Sequence, residues 1–331
     1  MDANPNILLI RLKSIGDILF LLPAVHMVRG NFPGAKISFL TSLENEPLLE
    51  GFREVDEIIT LDRARFRSGN PRAILSEAYS LFRRLRGGKF SLVVDFQGYG
   101  ETAWLARLSG APQRWGSVYG PGRRWAYTRG VTRNDNIHLA DWNLSLLQQC
   151  SLRPVEIRNE FVLPEDALDG AQRFFATHNL NPARLTLFIQ PFTSSPKKNW
   201  PLENYISIAG HWRARGVQVL FGGGPSECAL LEPARAAAFS VAAGTPLLVS
   251  AGLMQLSTLV IGGVTGLLHL AVAMQKRVLM LVGYPAHEPG FPYQHRDWAV
   301  TPLTGGSIAE IQTAAVIEAG ERAFAELGAA K

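Results

Sequence analysis

Cysteine is scarce in this 331-residue chain, with only Cys150 and Cys228, in no CxxC pair and near no histidines spaced as ligands. A disulfide framework and a structural zinc site are therefore excluded. Long hydrophobic runs are missing too. The apolar residues come in short blocks such as residues 7–10, 92–94 and 278–282, which suit buried strands and fall far short of a membrane span. No secretory leader pattern opens the chain, because Arg11 and Lys13 interrupt the first apolar run, so the expected compartment is the cytoplasm. The first strand is not followed by GxGxxG, which argues against a plain nicotinamide dehydrogenase. Nucleic-acid binding is set aside, since no recognised motif accompanies the basic residues. Short-period repeats and low-complexity tracts are absent.

What the chain does have is 47% hydrophobic residues, enough for two buried cores. Its +5 formal charge is uneven: residues 1–165 hold 21 Lys and Arg against 17 Asp and Glu, and the remainder holds 12 against 11. The densest basic stretch, Arg63, Arg65, Arg67, Arg72, Arg83, Arg84, Arg86 and Lys89, suits phosphates or anionic lipid head groups, or is simply a solvated helix face.

Apolar blocks at 7–10, 37–40, 58–61 and 92–96 alternate with helical stretches at 17–30, 73–85 and 102–108, the βαβ rhythm of a parallel sheet. The rhythm restarts after a helix at 138–150 and a Pro-containing linker at 152–166. Strands are expected at 185–190, 217–221, 259–262 and 278–282, helices at 202–215 and 266–275, and a closing helix at 307–327. The expected fold class is α/β, with Rossmann-like domains at 1–165 and 166–331 facing a central cleft and binding ligands at the carboxyl ends of their strands.

Five loops at strand ends hold the chemistry. In Arg11-Leu12-Lys13-Ser14-Ile15-Gly16-Asp17, Asp17 can take a proton from an attacking hydroxyl or merely cap a helix. In 190–201, Thr193, Ser194 and Ser195 offer donors to phosphate oxygens and Lys197 or Lys198 a cation, or the segment is an ordinary polar loop. Gly222-Gly223-Gly224 lets the backbone approach a ligand, and Glu227 is placed to hold a ribose or to serve a helix start. Thr265 and Gly266 open a helix whose free amides suit a pyrophosphate; His269, one turn on, is either a ligand or a packing residue. Tyr284 suits a nucleotide base, and His287 and Glu288 follow it.

Taken in order, RLKSIGDIL, LPA, VVDFQG, QPFTSSPKKNWP, GGGPSE and GGVTGLLHLAVAM resemble family 9 of the glycosyltransferases, the heptosyltransferase family, over nearly the whole chain. Members are two-domain GT-B enzymes that transfer heptose from ADP-heptose to the inner core of lipopolysaccharide, inverting the anomeric centre without a catalytic metal. The resemblance implies that Asp17 is the general base, that Lys198 in K-x-W-P binds the donor phosphates, and that Glu227 in G-P-x-E holds the ribose. It places Thr265, Gly266 and His269 at the diphosphate; the loop readings add Thr193 and Ser194 as donor-phosphate contacts and Tyr284 at the nucleotide base. Acceptor contacts fall to Arg11, Lys13, Ser14 and Gln97, joined by Arg123 and Arg124 because residues 97–104 lack the family's usual basic residue. The implied partners are an ADP-sugar, which is substrate rather than cofactor, and an acidic glycolipid at the cytoplasmic face of the inner membrane.

The chain departs from the family at Val264, where an aspartate usually precedes the T-G. Valine accepts no hydrogen bond from a sugar hydroxyl, so the departure points to a different hexose or heptose, to Glu288 as a substitute, or to weak activity. Two other readings follow: a nucleotide-sugar epimerase of GT-B architecture, and a non-catalytic binding homologue.

Overall fold

Strands that are apolar on both faces need cover on both faces, which a parallel sheet wrapped by helices supplies. The computed structural model describes residues 4–283, 290–303 and 305–329, and the chain divides into two compact units, Met1–Glu160 and Phe161–Lys331.

In the first unit six parallel strands, β1 (Asn6–Ile10), β2 (Lys36–Ser42), β3 (Glu57–Leu61), β4 (Leu92–Asp95), β5 (Gln113–Val118) and β6 (Arg129–Thr132), lie in the order β3-β2-β1-β4-β5-β6. Ile7 pairs with Ile37 on one side and Leu92 on the other, and Ile7 to Ile10 are fully buried. The helices are α1 (Ile15–Leu19), α2 (Leu22–Asn31), α3 (Glu46–Leu49), α4 (Arg63–Arg67), α5 (Pro71–Gly87), α6 (Gly100–Leu108) and α7 (Leu139–Gln149). The expected helix at 17–30 is thus two. Pro23 cannot donate to a preceding turn, and it sits in the opening turn of α2, where that donor is not needed.

The second unit repeats the plan. Its strands β7 (Thr186–Gln190), β8 (Gln218–Gly223), β9 (Ser240–Ala243), β10 (Leu259–Gly263), β11 (Val278–Leu281) and β12 (Ala299–Val300) lie in the order β12-β11-β10-β7-β8-β9. Renumbered from β7, that is the order of the first sheet read from its other edge. The helices are α8 (Glu165–Thr177), α9 (Leu202–Ala214), α10 (Glu232–Ala236), α11 (Leu247–Leu256), α12 (Gly266–Ala273) and α13 (Thr313–Ala329). The closing segment differs from expectation. A short 3-10 turn, Ile308–Glu310, comes first, Ile311 is extended with its carbonyl accepting the Trp200 indole N–H at 2.9 Å, and α13 starts only after it. No helix among the described residues is long and apolar enough to cross a membrane.

In both units the chain order reverses between the first and fourth strands, β1 and β4 in one and β7 and β10 in the other. Such switch points leave a crevice beyond the strand ends where α/β sheets bind ligands.

Candidate active site

At the first switch point the chain leaves β1 through Arg11, whose amide donates to the Leu40 carbonyl at 3.0 Å. Arg11 is 5% exposed, and its guanidinium faces inward. Nε donates to the Lys13 carbonyl at 2.8 Å, Nη1 to the Phe96 carbonyl at 3.0 Å and Nη2 to Asp17 Oδ2 at 2.5 Å. The Ser14 amide also donates to Oδ2, at 3.2 Å, which fixes Asp17 in the first turn of α1. Both bonds go to one oxygen. Oδ1 has no protein partner among the described residues, and the side chain is 35% exposed.

The loop after β4 buttresses this turn. Asp95 is fully buried; Oδ1 accepts the Gln97 and Gly98 amides, each at 2.9 Å, and Oδ2 accepts the Tyr127 hydroxyl at 2.6 Å. Burial pushes the Asp95 carboxyl above its ordinary range more than those bonds lower it, and burial beside Asp95 likewise raises the Tyr127 phenol. Gln97 Oε1 in turn accepts the Leu12 amide at 2.9 Å, while its Nε2 is buried without a protein partner. Gly98 has φ +70°, and a Cβ there would lie 2.0 Å from the Ser117 carbonyl oxygen, so only glycine fits.

From Lys13 a chain of rings and cations runs on, exposed at Tyr99 and Tyr119 and buried at Trp142. Lys13 Nζ lies 6.0 Å from the Tyr99 ring, Tyr99 and Tyr119 are 5.6 Å apart, and Arg133 sits 5.8 Å from Tyr119 and 5.4 Å from Trp142. Arg133 Nε donates to Asp135 Oδ1 at 2.8 Å, but its Nη1 is buried with no partner. Arrangements of this kind suit an anionic sugar.

The second switch point joins two motifs distant in sequence. Trp200, 1% exposed and edge-on to Tyr205 at 4.8 Å, anchors the end of the loop after β7. Inside that loop the Thr193 amide donates to Asn199 Oδ1 at 2.8 Å, and Thr193 Oγ1 donates to the Ser195 carbonyl at 2.8 Å. A Cβ on Gly263 at the end of β10 would lie 2.9 Å from Thr193 Cγ2 and 3.2 Å from the Lys198 carbonyl oxygen. The absence of that carbon lets the lysine loop close against the start of α12. There Thr265 Oγ1 caps the helix by accepting the Leu268 amide at 3.2 Å, and the preceding amides of Gly266 and Leu267 open the first turn. Lys198 is exposed and Ser194 beside it likewise. Glu227 Oε2 accepts the Gly224 amide at 2.7 Å, which closes the turn after β8.

Asp17, Lys13, Ser14 and Gln97 thus gather at the first switch point, and Thr193, Lys198, Thr265 and Gly266 at the second. Arg11 differs from expectation in its geometry: it turns inward and spends its bonds on Asp17 and the backbone, which makes it a positioning residue. Arg123 donates to the Gly98 carbonyl at 2.9 Å, whereas Arg124 is exposed. His269 is buried in α12 at 6% exposure, and Val264 is half-buried just ahead of the cap. Tyr284, His287 and Glu288 lie outside the described residues. Asp95, Tyr127 and Arg133 were not anticipated; the one available signal was a carboxylate ending an apolar strand in VVDFQG.

Residues 78–310 match the family model described as glycosyltransferase family 9 (heptosyltransferase). A lipopolysaccharide core heptosyltransferase of Haemophilus influenzae, OpsX, is 21% identical over 315 residues, covering 91% of this chain and 85% of that protein. The crystal structure of a family 9 glycosyltransferase from Veillonella parvula superposes with a TM-score of 0.87 at 21% identity, covering 98% of this chain and 99% of that one. The ADP-heptose lipopolysaccharide heptosyltransferase II of Escherichia coli superposes at 0.80 with 20% identity, covering 97% and 99%. The fold is GT-B, as expected from the motifs. On a match spanning more than half of its length, the chain belongs to glycosyltransferase family 9.

Proposed function

We propose that this protein is an inverting, metal-independent glycosyltransferase that moves a heptose from ADP-heptose onto an acidic, lipid-linked saccharide of the lipopolysaccharide core type, at the cytoplasmic face of the inner membrane. The observation that supports this most is the carboxylate of Asp17, held through Oδ2 alone with Oδ1 left for substrate. In the proposed reaction Oδ1 takes the proton of the acceptor hydroxyl as its oxygen attacks the anomeric carbon of the donor. The bond from that carbon to the diphosphate breaks, and its electron pair leaves with ADP. One displacement inverts the centre. Lys198 and the opening amides of α12 hold the charge that grows on the leaving diphosphate. Glu227 and Tyr284 serve the adenosine, and Lys13, Gln97 and Arg133 the acceptor's acidic groups.

Val264 favours a second reading on one point, the sugar. An apolar side chain ahead of Thr265 gives no hydrogen bond to a donor hydroxyl, so this site selects its sugar by other contacts or binds it without turnover. The deciding experiment incubates the protein with ADP-heptose, with and without lipid-linked acceptor, and follows ADP release and the sugar's NMR spectrum. Release that requires acceptor is expected. Conversion of the free nucleotide sugar without acceptor would establish an epimerase, and thermal stabilisation by donor without turnover on any acceptor would establish a binding homologue.

A further inference from the structure

Helix α5 is amphipathic in an unusual sense. One side carries Glu77, Leu81 and Leu85 into the core of the first unit, at 7%, 4% and 0% exposure. Another strip, at the i, i+4, i+7 spacing of a helix surface, leaves Leu75, Tyr79 and Phe82 at 72%, 63% and 41% exposure. Single exposed apolar side chains are ordinary, but three in register on one strip form a patch that something covers. Helix α6, packed against α5, adds Trp104 and Leu108 at 58% and 41%, with Trp125 at 49% edge-on to Trp104 at 4.6 Å.

Charge identifies the cover. Residues 63–89 hold eight Lys and Arg and a single acidic residue, Glu77. Arg63 pairs with Glu101, Arg65 with Asp62 and Glu77, and Arg84 with Glu77. Arg67, Arg72, Arg83 and Arg86 are exposed and have no ion-pair partner among the described residues. Arg86 continues the strip at i+11, with its guanidinium 5.9 Å from the Phe82 ring. Aromatic and aliphatic side chains ringed by unpaired cations on a surface helix too polar to span match the chemistry of an anionic bilayer surface.

We propose that the exposed strip of α5 is a membrane-docking surface that lays Leu75, Tyr79 and Phe82 among the head groups of an anionic bilayer while Arg72, Arg83 and Arg86 meet lipid phosphates. The proposal gains its purpose from the lipid-linked acceptor of the preceding reading, yet it is measured without any transfer reaction. Failure of one therefore leaves the other standing.

The test is co-sedimentation of the full chain with vesicles of phosphatidylethanolamine and phosphatidylglycerol, and with vesicles of phosphatidylcholine alone, over a range of salt. Binding is expected for the anionic vesicles only, falling as salt rises. A variant carrying Leu75→Ser, Tyr79→Ser and Phe82→Ser, and another carrying Arg72→Glu and Arg83→Glu, should each bind roughly tenfold or more weakly. Circular dichroism and the thermal shift with ADP confirm that both remain folded. Wild-type protein that stays in the supernatant with anionic vesicles at low salt, or either variant sedimenting as well as wild type, would overturn the proposal.

Discussion

Arg11 Nη2 donates to Asp17 Oδ2 at 2.5 Å, and the same guanidinium is pinned from behind by the carbonyls of Lys13 and Phe96. The planar fork aims the carboxylate because it is itself held at two other points. Lysine has no such fork. Arg11→Lys should therefore lower kcat on the order of tenfold to a hundredfold, part of the general-base contribution, while KM for the donor changes little. Steady-state kinetics separates the two. A rise in donor KM with unchanged kcat would assign Arg11 to substrate binding instead.

Gly98 holds the β4 loop in a conformation no other residue takes without strain, with φ +70° and the Ser117 carbonyl oxygen 2.0 Å from where a Cβ would lie. Gly98→Ala should cost at least about 2 kcal/mol of stability, measured by urea unfolding, and should reduce transfer by shifting Gln97.

Much of this architecture is legible in the sequence, for a physical reason. Strands such as β1 (Asn6–Ile10) and β11 (Val278–Leu281) are buried on both faces, so they read as unbroken apolar runs bounded by loops. β5 is not legible: Gln-Arg-Trp-Gly-Ser-Val carries glycine at 116 because the Tyr127 ring lies where a Cβ would be, 2.3 Å away. β9, Ser-Val-Ala-Ala, is too short and small-sided to stand out, and α8 buries little beyond Ala167, Ala171 and Phe175. The motifs that single out Asp17 and Lys198 are local, whereas Asp95 takes its place through Tyr127, 32 residues away, and Arg133 through Tyr119 and Trp142. No local pattern encodes such contacts.

At the second switch point the missing Cβ of Gly263 sets the Lys198 loop beside the capped start of α12. In the proposed reaction that cation and the opening amides of α12 hold one diphosphate together. Lys198→Ala should weaken ADP binding by about 1.5–3 kcal/mol, roughly tenfold to a hundredfold, by calorimetry. Affinity within twofold of wild type would remove Lys198 from the phosphate site.

Asp95 makes stability depend on pH with a definite sign. Burial raises its carboxyl above the ordinary 3.8, so the folded state keeps a proton that the unfolded chain has lost. Its contribution is full below 3.8 and is lost as pH rises through the native value. The stability of wild type relative to Asp95→Asn should accordingly fall as pH increases above that point. Parallel urea titrations at several pH values check this, and a constant difference would contradict it.

Removal of the acceptor proton by Asp17, as proposed, is tested most directly by Asp17→Asn, because the amide keeps size and shape while losing the base. Transfer from ADP-heptose should fall about a hundredfold to ten-thousandfold, with the donor's thermal shift unchanged. Turnover close to wild type in that variant would contradict the assignment.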